Sequence, residues 1–394
     1  MLTRISRIRP LLEAAREVRA STGKSYRTQL GELLAVRRGP GRVGASQYYA
    51  FGLWDPARYS GAARAEFAFW DWDEIGGRLN LPAAAALCDD KLMTDAVLRG
   101  FGLPVPEVVA VYHPSGRRHG AVPTFTRLDD LAGFLRGDAP YPLFGKPVRD
   151  RQGGGASSLD GYDGATDRVL HPRGGSTPVA EYVREVPGRY FAGVTDRDEG
   201  APAGYLFQRR IAPHPDLAAV TGGRGFCLRL VVLMLPAGPL VHRATLKAAV
   251  GGNIVDHGTV GYGNLSSLVD PADGRVFLSF RVRGPEGVSP RVLSRFGERV
   301  ETHPDTGLRT IGLRVPCWDE AVALVLRAAP MLPQIRYQSW DLLIGAGGPV
   351  LLELNRRGGL QQLPGGPGIN DAVFRAFRAA CNGSHPGAPA GPPA

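Results

Sequence analysis

The sequence predicts a mixed α and β protein, α+β or α/β, with at least two lobes. Three observations carry this. The chain has 394 residues, enough for two or three subdomains around sizeable cores. Segments with helical spacing are interleaved with β-rich runs broken at Gly, Pro and Asp. Gly 53 and Pro 33 are high counts, which argue for many turns and against a coiled coil or helical repeat.

Residues 8–19 and 26–36 read as helices, followed by the aromatic stretches QYYAFGLWDPARY and FAFWDWDE. We expect a partly buried aromatic cluster there, and take residues 1–87 as an N-terminal, mainly helical subdomain. The first helix is basic and amphipathic, with Leu2, Ile5, Leu11, Leu12 and Val18 among Arg4, Arg7, Arg9, Arg16 and Arg19. It reads as a surface helix docked on the body, with contact to an anionic membrane surface as the second reading. It lacks the continuous apolar run of a secretion signal. Residues 89–100, DDKLMTDAVLRG, form a helix capped by Asp89 or Asp90, with Gly100 after its last turn. FGLPVPEVVAVY turns at its prolines into a strand, DDLAGFLRG is a short helix and YPLFGKPV a strand. RQGGGASSLDGYDG is a glycine-rich loop and VAEYVREV a helix.

The second half is mostly strand. GYLFQRRI, CLRLVVLML, PLVHRATLKAAV and RVFLSFRV have β-rich composition. DEAVALVLRAAPML is a helix, QSWDLLIGAGGPVLLELN a hairpin and DAVFRAFRAACNG a final amphipathic helix. The tail 383–394 is low-complexity and expected to be disordered.

Composition removes several classes. The longest mostly apolar run, 228–236, is too short to cross a bilayer. Cys88, Cys227, Cys317 and Cys381 are far apart, so neither a disulfide framework nor a zinc site is expected, and a cytoplasmic setting fits. They read as small buried hydrophobes. A net charge of +10 raises nucleic-acid binding, but no run of four basic residues exists, so none is expected. The cations serve a small anionic ligand equally well. Only Lys24, Lys91, Lys146 and Lys247 are lysines among 47 basic residues. A lysine kept in an arginine-rich chain marks a place for a compact point charge, although Lys24 has only surface context.

The hairpin carries the first chemistry. A three-residue loop, Ala346-Gly347-Gly348, would place Asp341 opposite Glu353. Glu353 and Asn355 share a face, while Leu342, Ile344, Val350, Leu352 and Leu354 would anchor the other. Trp340 is expected to pack beneath. Two opposed carboxylates repel, and a cation removes that penalty. Oxygen ligands without His or Cys select Mg²⁺ or Mn²⁺. Lys146 precedes Gly153, Gly154, Gly155 and Ser157, a loop whose N–H groups can close over phosphates, though it is not a Walker A loop.

The order of these motifs resembles the ATP-grasp superfamily over about residues 88–365: Asp90-Lys91 opening a helix, GLPVPE, a strand lysine before a glycine loop, a hinge strand, an arginine strand and a terminal D-x₁₁-E-x-N. The stretch LFQRRIAPHPDLAAVTGGRGFCLRLVVL, then VDHGTVGYGN and WDLLIGAGGPVLLELNRRGGL, is most similar to the sugar-transfer-associated branch. The resemblance implies an α+β fold of two lobes gripping ATP, at 88–204 and 205–382. It implies that Lys91, Lys146 and the loop 153–158 hold ATP, that residues 205–208 are a hinge reading adenine, and that Asp216 is a ribose candidate or a cap for the helix starting at His214. A Glu is common where this chain has Gln208. Arg229 and Lys247 would face the γ-phosphate, Asp341, Glu353 and Asn355 would hold two Mg²⁺ ions, and Arg356, Gly358 and Gly359 would lie at a carboxylate substrate. His257 is a candidate base for an incoming amine.

The activity implied is an ATP-dependent carboxylate–amine ligase working through an acyl phosphate. A phosphotransferase and a non-catalytic ATP-binding regulator are the alternatives. The substrates would be small molecules, and a homodimer is expected by analogy.

Overall fold

In a computed structural model of the chain, the residues described are 2–67, 79–149, 154–190, 204–255, 263–282, 296–356, 358–359 and 362–383. The helices are α1 (Leu2–Thr22), α2 (Tyr26–Arg38), α3 (Ala45–Ala50), α4 (Gly61–Ala65), α5 (Ala85–Asp89), α6 (Lys91–Gly100), α7 (Leu128–Gly137), α8 (Val179–Glu185), α9 (Pro215–Thr221), α10 (Trp318–Ala328) and α11 (Ala372–Gly383). The strands are β1 (Val108–Tyr112), β2 (Thr124–Phe125), β3 (Leu143–Pro147), β4 (Ser157–Leu159), β5 (Gly161–Asp163), β6 (Arg168–Leu170), β7 (Ser176–Pro178), β8 (Tyr205–Arg209), β9 (Phe226–Leu235), β10 (Gly238–Ala248), β11 (Leu265–Val269), β12 (Val276–Val282), β13 (Phe296–Arg299), β14 (Tyr337–Gly345) and β15 (Gly348–Asn355). Together they make the expected α+β architecture of two sheet-based lobes behind a mainly helical N-terminal region.

The first lobe is a five-stranded sheet, β2-β1-β8-β3-β4, with a three-stranded sheet β5-β6-β7 beside it. Its core joins Ala110, Leu143, Tyr205 and Phe207 of the sheet to Leu131 and Leu135 of α7 and Val179 and Tyr182 of α8. Two expectations change here. The boundary drawn at 205 precedes a strand that pairs with both β1 and β3, so β8 is a central strand of the first sheet. The segment read as one glycine-rich loop contains β4 and β5, because Ser157 and Ser158 pair with Gly145 and Phe144 of β3.

The second lobe is an antiparallel seven-stranded sheet, β13-β12-β11-β10-β9-β14-β15. Both faces of its central strands are covered, which is why β9 reads as a near-continuous apolar run. Leu228, Leu230 and Val232 point to one core with Trp340, Leu342, Ile344 and α10. Val231 and Leu233 point the other way, to Tyr337, Ile369, Phe374 and Phe377 beneath α11. Arg229 shares the second face, where the apolar cover gives way to a polar row.

The 340–355 hairpin has the expected partners by a different route. Its turn has two residues, since Gly345 pairs with Gly348. That register alone would set Asp341 against Leu352. A β-bulge between Asp341 and Leu342 shifts the pairing by one, so Asp341 meets Glu353 after all. The bulge also exchanges two side chains: Leu351, not Leu352, is fully buried in the core. Trp340 packs there as expected, with its indole N–H donating to Gln338 Oε1 at 2.8 Å.

In the N-terminal region Val43, Tyr48, Leu53, Tyr59 and Phe67 form the expected aromatic cluster, while the FAFWDWDE stretch beyond Phe67 lies outside the described residues. Lys24 is not a loose surface charge. Its amine sits 2.8 Å from Glu32, which also accepts from Tyr48 at 2.5 Å and Arg64 at 3.3 Å. This region docks on the second lobe: Asn370 N–H donates to Glu66 O at 2.7 Å, and Asn80 brackets Tyr337 through its amide. The cysteines are all free, two buried and two partly buried. Among the described residues, no helix is long and apolar enough to cross a membrane. The tail from 384 lies outside them.

Candidate active site

Strand register assembles the polar row. β14 lies between β9 and β15, so Asp341 faces Arg229 on one side and Glu353 on the other. One strand further, Lys247 of β10 pairs with Cys227 of β9. Arg229 Nε and Nη2 each donate to one Asp341 oxygen at 2.5 Å, a bidentate pair between a mostly buried guanidinium and a buried carboxylate. Asn355 Nδ2 donates to Asp341 Oδ2 at 3.1 Å and to Glu353 Oε1 at 3.0 Å, bridging the two carboxylates. Burial alone would raise the Asp341 pKa, but the charges of Arg229 and Lys247 outweigh it and hold the carboxyl well below its usual range. The guanidinium responds in kind: burial works against its charge, and Asp341 more than restores it.

The first lobe faces this row with lysines. Lys91, Asp95, Lys146 and Gln208 line an interlobe pocket with Leu351 and Leu352. Asp90 presents Lys91 by capping α6, accepting from Leu92 N–H at 3.1 Å and Met93 N–H at 3.0 Å. Arg117 and Arg149 clamp the same carboxylate and, against the cost of burial, hold its pKa down. Lys146 alternates into the pocket from β3. Its surface is only partly covered, but its amine stands between the lobes, and desolvation lowers its pKa to about 8. Lys91 adds to that fall, while Glu353, Asp95 and Asp341 oppose it. Lys146 and the acidic pair thus act on one another across the cleft.

Asp95 and Leu352 belong to the pocket and were not singled out from sequence. Asp95 follows Lys91 by four residues, so helical spacing alone puts both on one face. It is held by Arg99 at 2.9 Å and His119 at 2.8 Å. Leu352 was assigned to the wrong face because a bulge has no sequence signature.

Other expected residues have different partners. Ser157 Oγ lies 2.7 Å from Tyr182 Oη and 2.8 Å from Tyr205 Oη, buried in the first-lobe core, so it is not open to a phosphate. Gly155 remains at a turn with φ 68°, beside Gly154, and its carbonyl accepts from Tyr205. Gln208 lines the pocket, whereas the N–H groups of Arg209 and Arg210 are used by the carbonyls of Glu107 and Pro142. Asp216 is neither the cap nor a pocket residue; His214 caps α9 and the Asp216 side chain is 71% exposed. Gly358 packs on Ser339, where a Cβ would lie 2.1 Å from the serine side chain, and Gly359 O accepts from Tyr337 at 3.2 Å. These two glycines serve close packing beside the row. Gly153 and His257 lie outside the described residues.

Arg356 is buried and bound to Asp89, Nη2 to Oδ2 at 2.8 Å, while its Nε has no hydrogen-bond partner among the described residues. Asp89 ends α5 and directly precedes Asp90-Lys91, so this pair ties the lysine helix to the strand end of the acidic hairpin. Asp89→Asn is expected to raise the KM for an anionic substrate about tenfold with kcat little changed, because it loosens the arginine without removing it. Steady-state kinetics that show both constants unchanged would make the pair purely structural. Cys88 beside it has its thiol pushed up to about 12 by burial, so it is no nucleophile near neutral pH.

No group of three or more His, Cys, Asp or Glu forms a metal cluster among the described residues. The donor set that converges is two carboxylates and one amide, which suits a hard cation and not zinc. Two carboxylates on adjacent strands are stable here because Arg229 and the Asn355 amide supply the positive partners a cation would replace.

No curated protein matches the chain. Among solved structures it aligns with a D-Ala:D-Ser ligase from Enterococcus faecalis, 16% identical, covering 76% of this chain and 62% of that one with a TM-score of 0.40. An L-amino acid ligase from Bacillus licheniformis is 13% identical, with 74% and 48% covered and a TM-score of 0.37. D-Alanyl-alanine synthetase A from Vibrio cholerae is 11% identical, with 77% and 66% covered and a TM-score of 0.40. The chain thus spans about half to two thirds of the length of these proteins. By sequence, the profile of the sugar-transfer associated ATP-grasp proteins matches residues 73–376, more than three quarters of the chain and both lobes, and the chain belongs to that family.

Proposed function

We propose that this chain is an ATP-dependent carboxylate–amine ligase that forms an amide or peptide bond through an acyl phosphate. The observation that carries the reading is the convergence of Lys91 and Lys146 from one lobe with Arg229, Lys247, Asp341, Glu353 and Asn355 from the other. Phosphoryl transfer needs placement and positive charge around the γ-phosphate more than covalent help. In this reading Lys91 and Lys146 hold the phosphate chain, and Leu352 packs on the base. Arg229 and Lys247 face the transferring group. Asp341, Glu353 and Asn355 would hold Mg²⁺, which supplies charge neutralisation at the phosphates.

The carboxylate oxygen of the acid attacks the γ-phosphorus, the bond to ADP breaks and an acyl phosphate forms. The amine then attacks the carbonyl carbon, loses a proton, and inorganic phosphate leaves. Arg356, tethered to Asp89, lies at the strand end beside the acidic pair, where it would orient the acid's carboxylate. Burial of the row beneath the interlobe cleft excludes water that would hydrolyse the acyl phosphate.

The test is an ATP-consumption screen of wild type and Glu353→Ala against a matrix of carboxylates and amines, reading phosphate release and product mass together. Phosphate release that needs both an acid and an amine is expected, with an amide product. Glu353→Ala is expected to lower turnover by about 10²-fold or more. A phosphorylated product with no amide would replace the ligase with a phosphotransferase. ATP binding without turnover on any pair would favour a regulator.

A further inference from the structure

We propose that the N-terminal helical pair, α1 and α2, is a docking face for an anionic membrane surface. The packing of α2 separates its two sides. Gln29, Leu33 and Val36 turn inward: Gln29 is buried and donates to Ala15 O at 3.1 Å, and the other two pack on the aromatic cluster. On the outer side Tyr26, Leu30 and Leu34 follow one another at single-turn spacing, and they are 45%, 57% and 41% exposed. Leu12 of α1 is 53% exposed. Three leucines and a tyrosine open to solvent on one helical pair form a face, unlike apolar residues scattered singly.

The charge around that face is mainly basic. Arg27 and the pair Arg37 and Arg38, at opposite ends of α2, are exposed. Arg16 and Arg19 follow Leu12 on the same side of α1, and Arg19 lies 4.9 Å over the Tyr26 ring, joining the two helices at their turn. The one acid of α2, Glu32, is drawn inward by Lys24, Arg64 and Tyr48. Of the two acids of α1, Glu13 directly follows Leu12 and is paired with Arg9 at 3.0 Å, and the exposed Glu17 follows Leu12 by five residues, about 140° away around the helix.

Apolar side chains flanked by an excess of arginines match a headgroup layer, which takes leucine and tyrosine into its acyl boundary and pairs guanidinium with phosphate. No described helix is able to span a bilayer, so the contact is one of lying on the surface. This reading is independent of the chemistry in the cleft.

The full chain would be sedimented with vesicles of phosphatidylcholine alone and with roughly one third phosphatidylglycerol, at low and high salt. Binding to the anionic vesicles only, weakened by salt, is expected. Leu30→Ser with Leu34→Ser, and separately Arg37→Gln with Arg38→Gln, should each lower the partition coefficient about tenfold or more. All four residues are exposed, so thermal unfolding should match wild type and confirm that the fold is intact. Absence of binding to anionic vesicles, or binding that neither double variant weakens, overturns the proposal. A wild-type dimer that the leucine variant converts to a monomer, without vesicle binding, would assign the face to a second copy of the chain instead.

Discussion

Asp341→Ala is expected to lower the stability of the fold by about 3–5 kcal/mol and to abolish ATP-dependent turnover. Arg229 is mostly buried, its side chain 13% exposed, and Nε and Nη2 are both spent on the Asp341 carboxylate. Removing the acid leaves a mostly buried guanidinium without its paired carboxylate, with only the weaker charge of Glu353 to offset it. The guanidinium cannot escape by losing its proton, and β9 is central in the sheet, so it cannot swing to solvent. Urea unfolding reads the loss directly. The double variant Arg229→Met with Asp341→Leu separates stability from chemistry: it removes both charges at similar volume, and most of the lost stability should return while turnover stays absent. If the single variant unfolds like wild type, the pair is not the buried contact described.

Asp341 also carries a pH signature. Its folded pKa lies below the unfolded value because Arg229 and Lys247 outweigh burial. Its contribution to stability is therefore present above the unfolded carboxylate value and lost as the pH falls through the folded one.

Lys146→Met is expected to weaken ATP binding about a hundredfold and to remove its dependence on alkaline pH. The amine of the free protein titrates near 8 because desolvation outweighs the nearby acids. Phosphate binding favours the charged amine. Below pH 8 the amine is already protonated and affinity is flat. Above it, each bound ATP must bring a proton, so affinity falls by about tenfold per pH unit. Calorimetry at pH 7, 8 and 9 would show the slope in wild type and none in Lys146→Met. A wild-type affinity that is flat to pH 9 would place Lys146 away from the phosphates. Stability moves the other way. The folded pKa lies below the usual 10.5, so between these values the unfolded chain binds more protons and the fold gains stability as pH rises.

Much of this site was legible in one dimension. Four lysines in an arginine-rich chain pointed to Lys91 and Lys146, and both line the interlobe pocket. A cap at Asp89 or Asp90 was readable from their place before a helical period, and the structure assigns it to Asp90, while Asp95 could have been found from its four-residue spacing to Lys91. These are local facts, fixed by backbone periodicity within a turn or two.

The hairpin shows the limit. Asp341 was rightly set opposite Glu353, but from a three-residue loop; the chain uses a two-residue turn and a bulge, and two shifts of one residue cancel for the acids while exchanging Leu351 and Leu352. Pairing depends on where the extra residue is accommodated, and nothing in side-chain alternation marks that place.

What the sequence by itself determined was the order of elements, the lysines, the acid–acid–amide set and the face that carries it, because each follows from short-range spacing. What only the tertiary structure decided was which distant groups neutralise one another. Arg229 and Asp341 are 112 residues apart, Arg356 and Asp89 are 267 apart, and Ser157 meets Tyr205 across 48 residues. Those contacts are set by strand order and lobe packing. A buried charge takes the partner that the packed sheet brings to it, and sequence distance has no part in that choice.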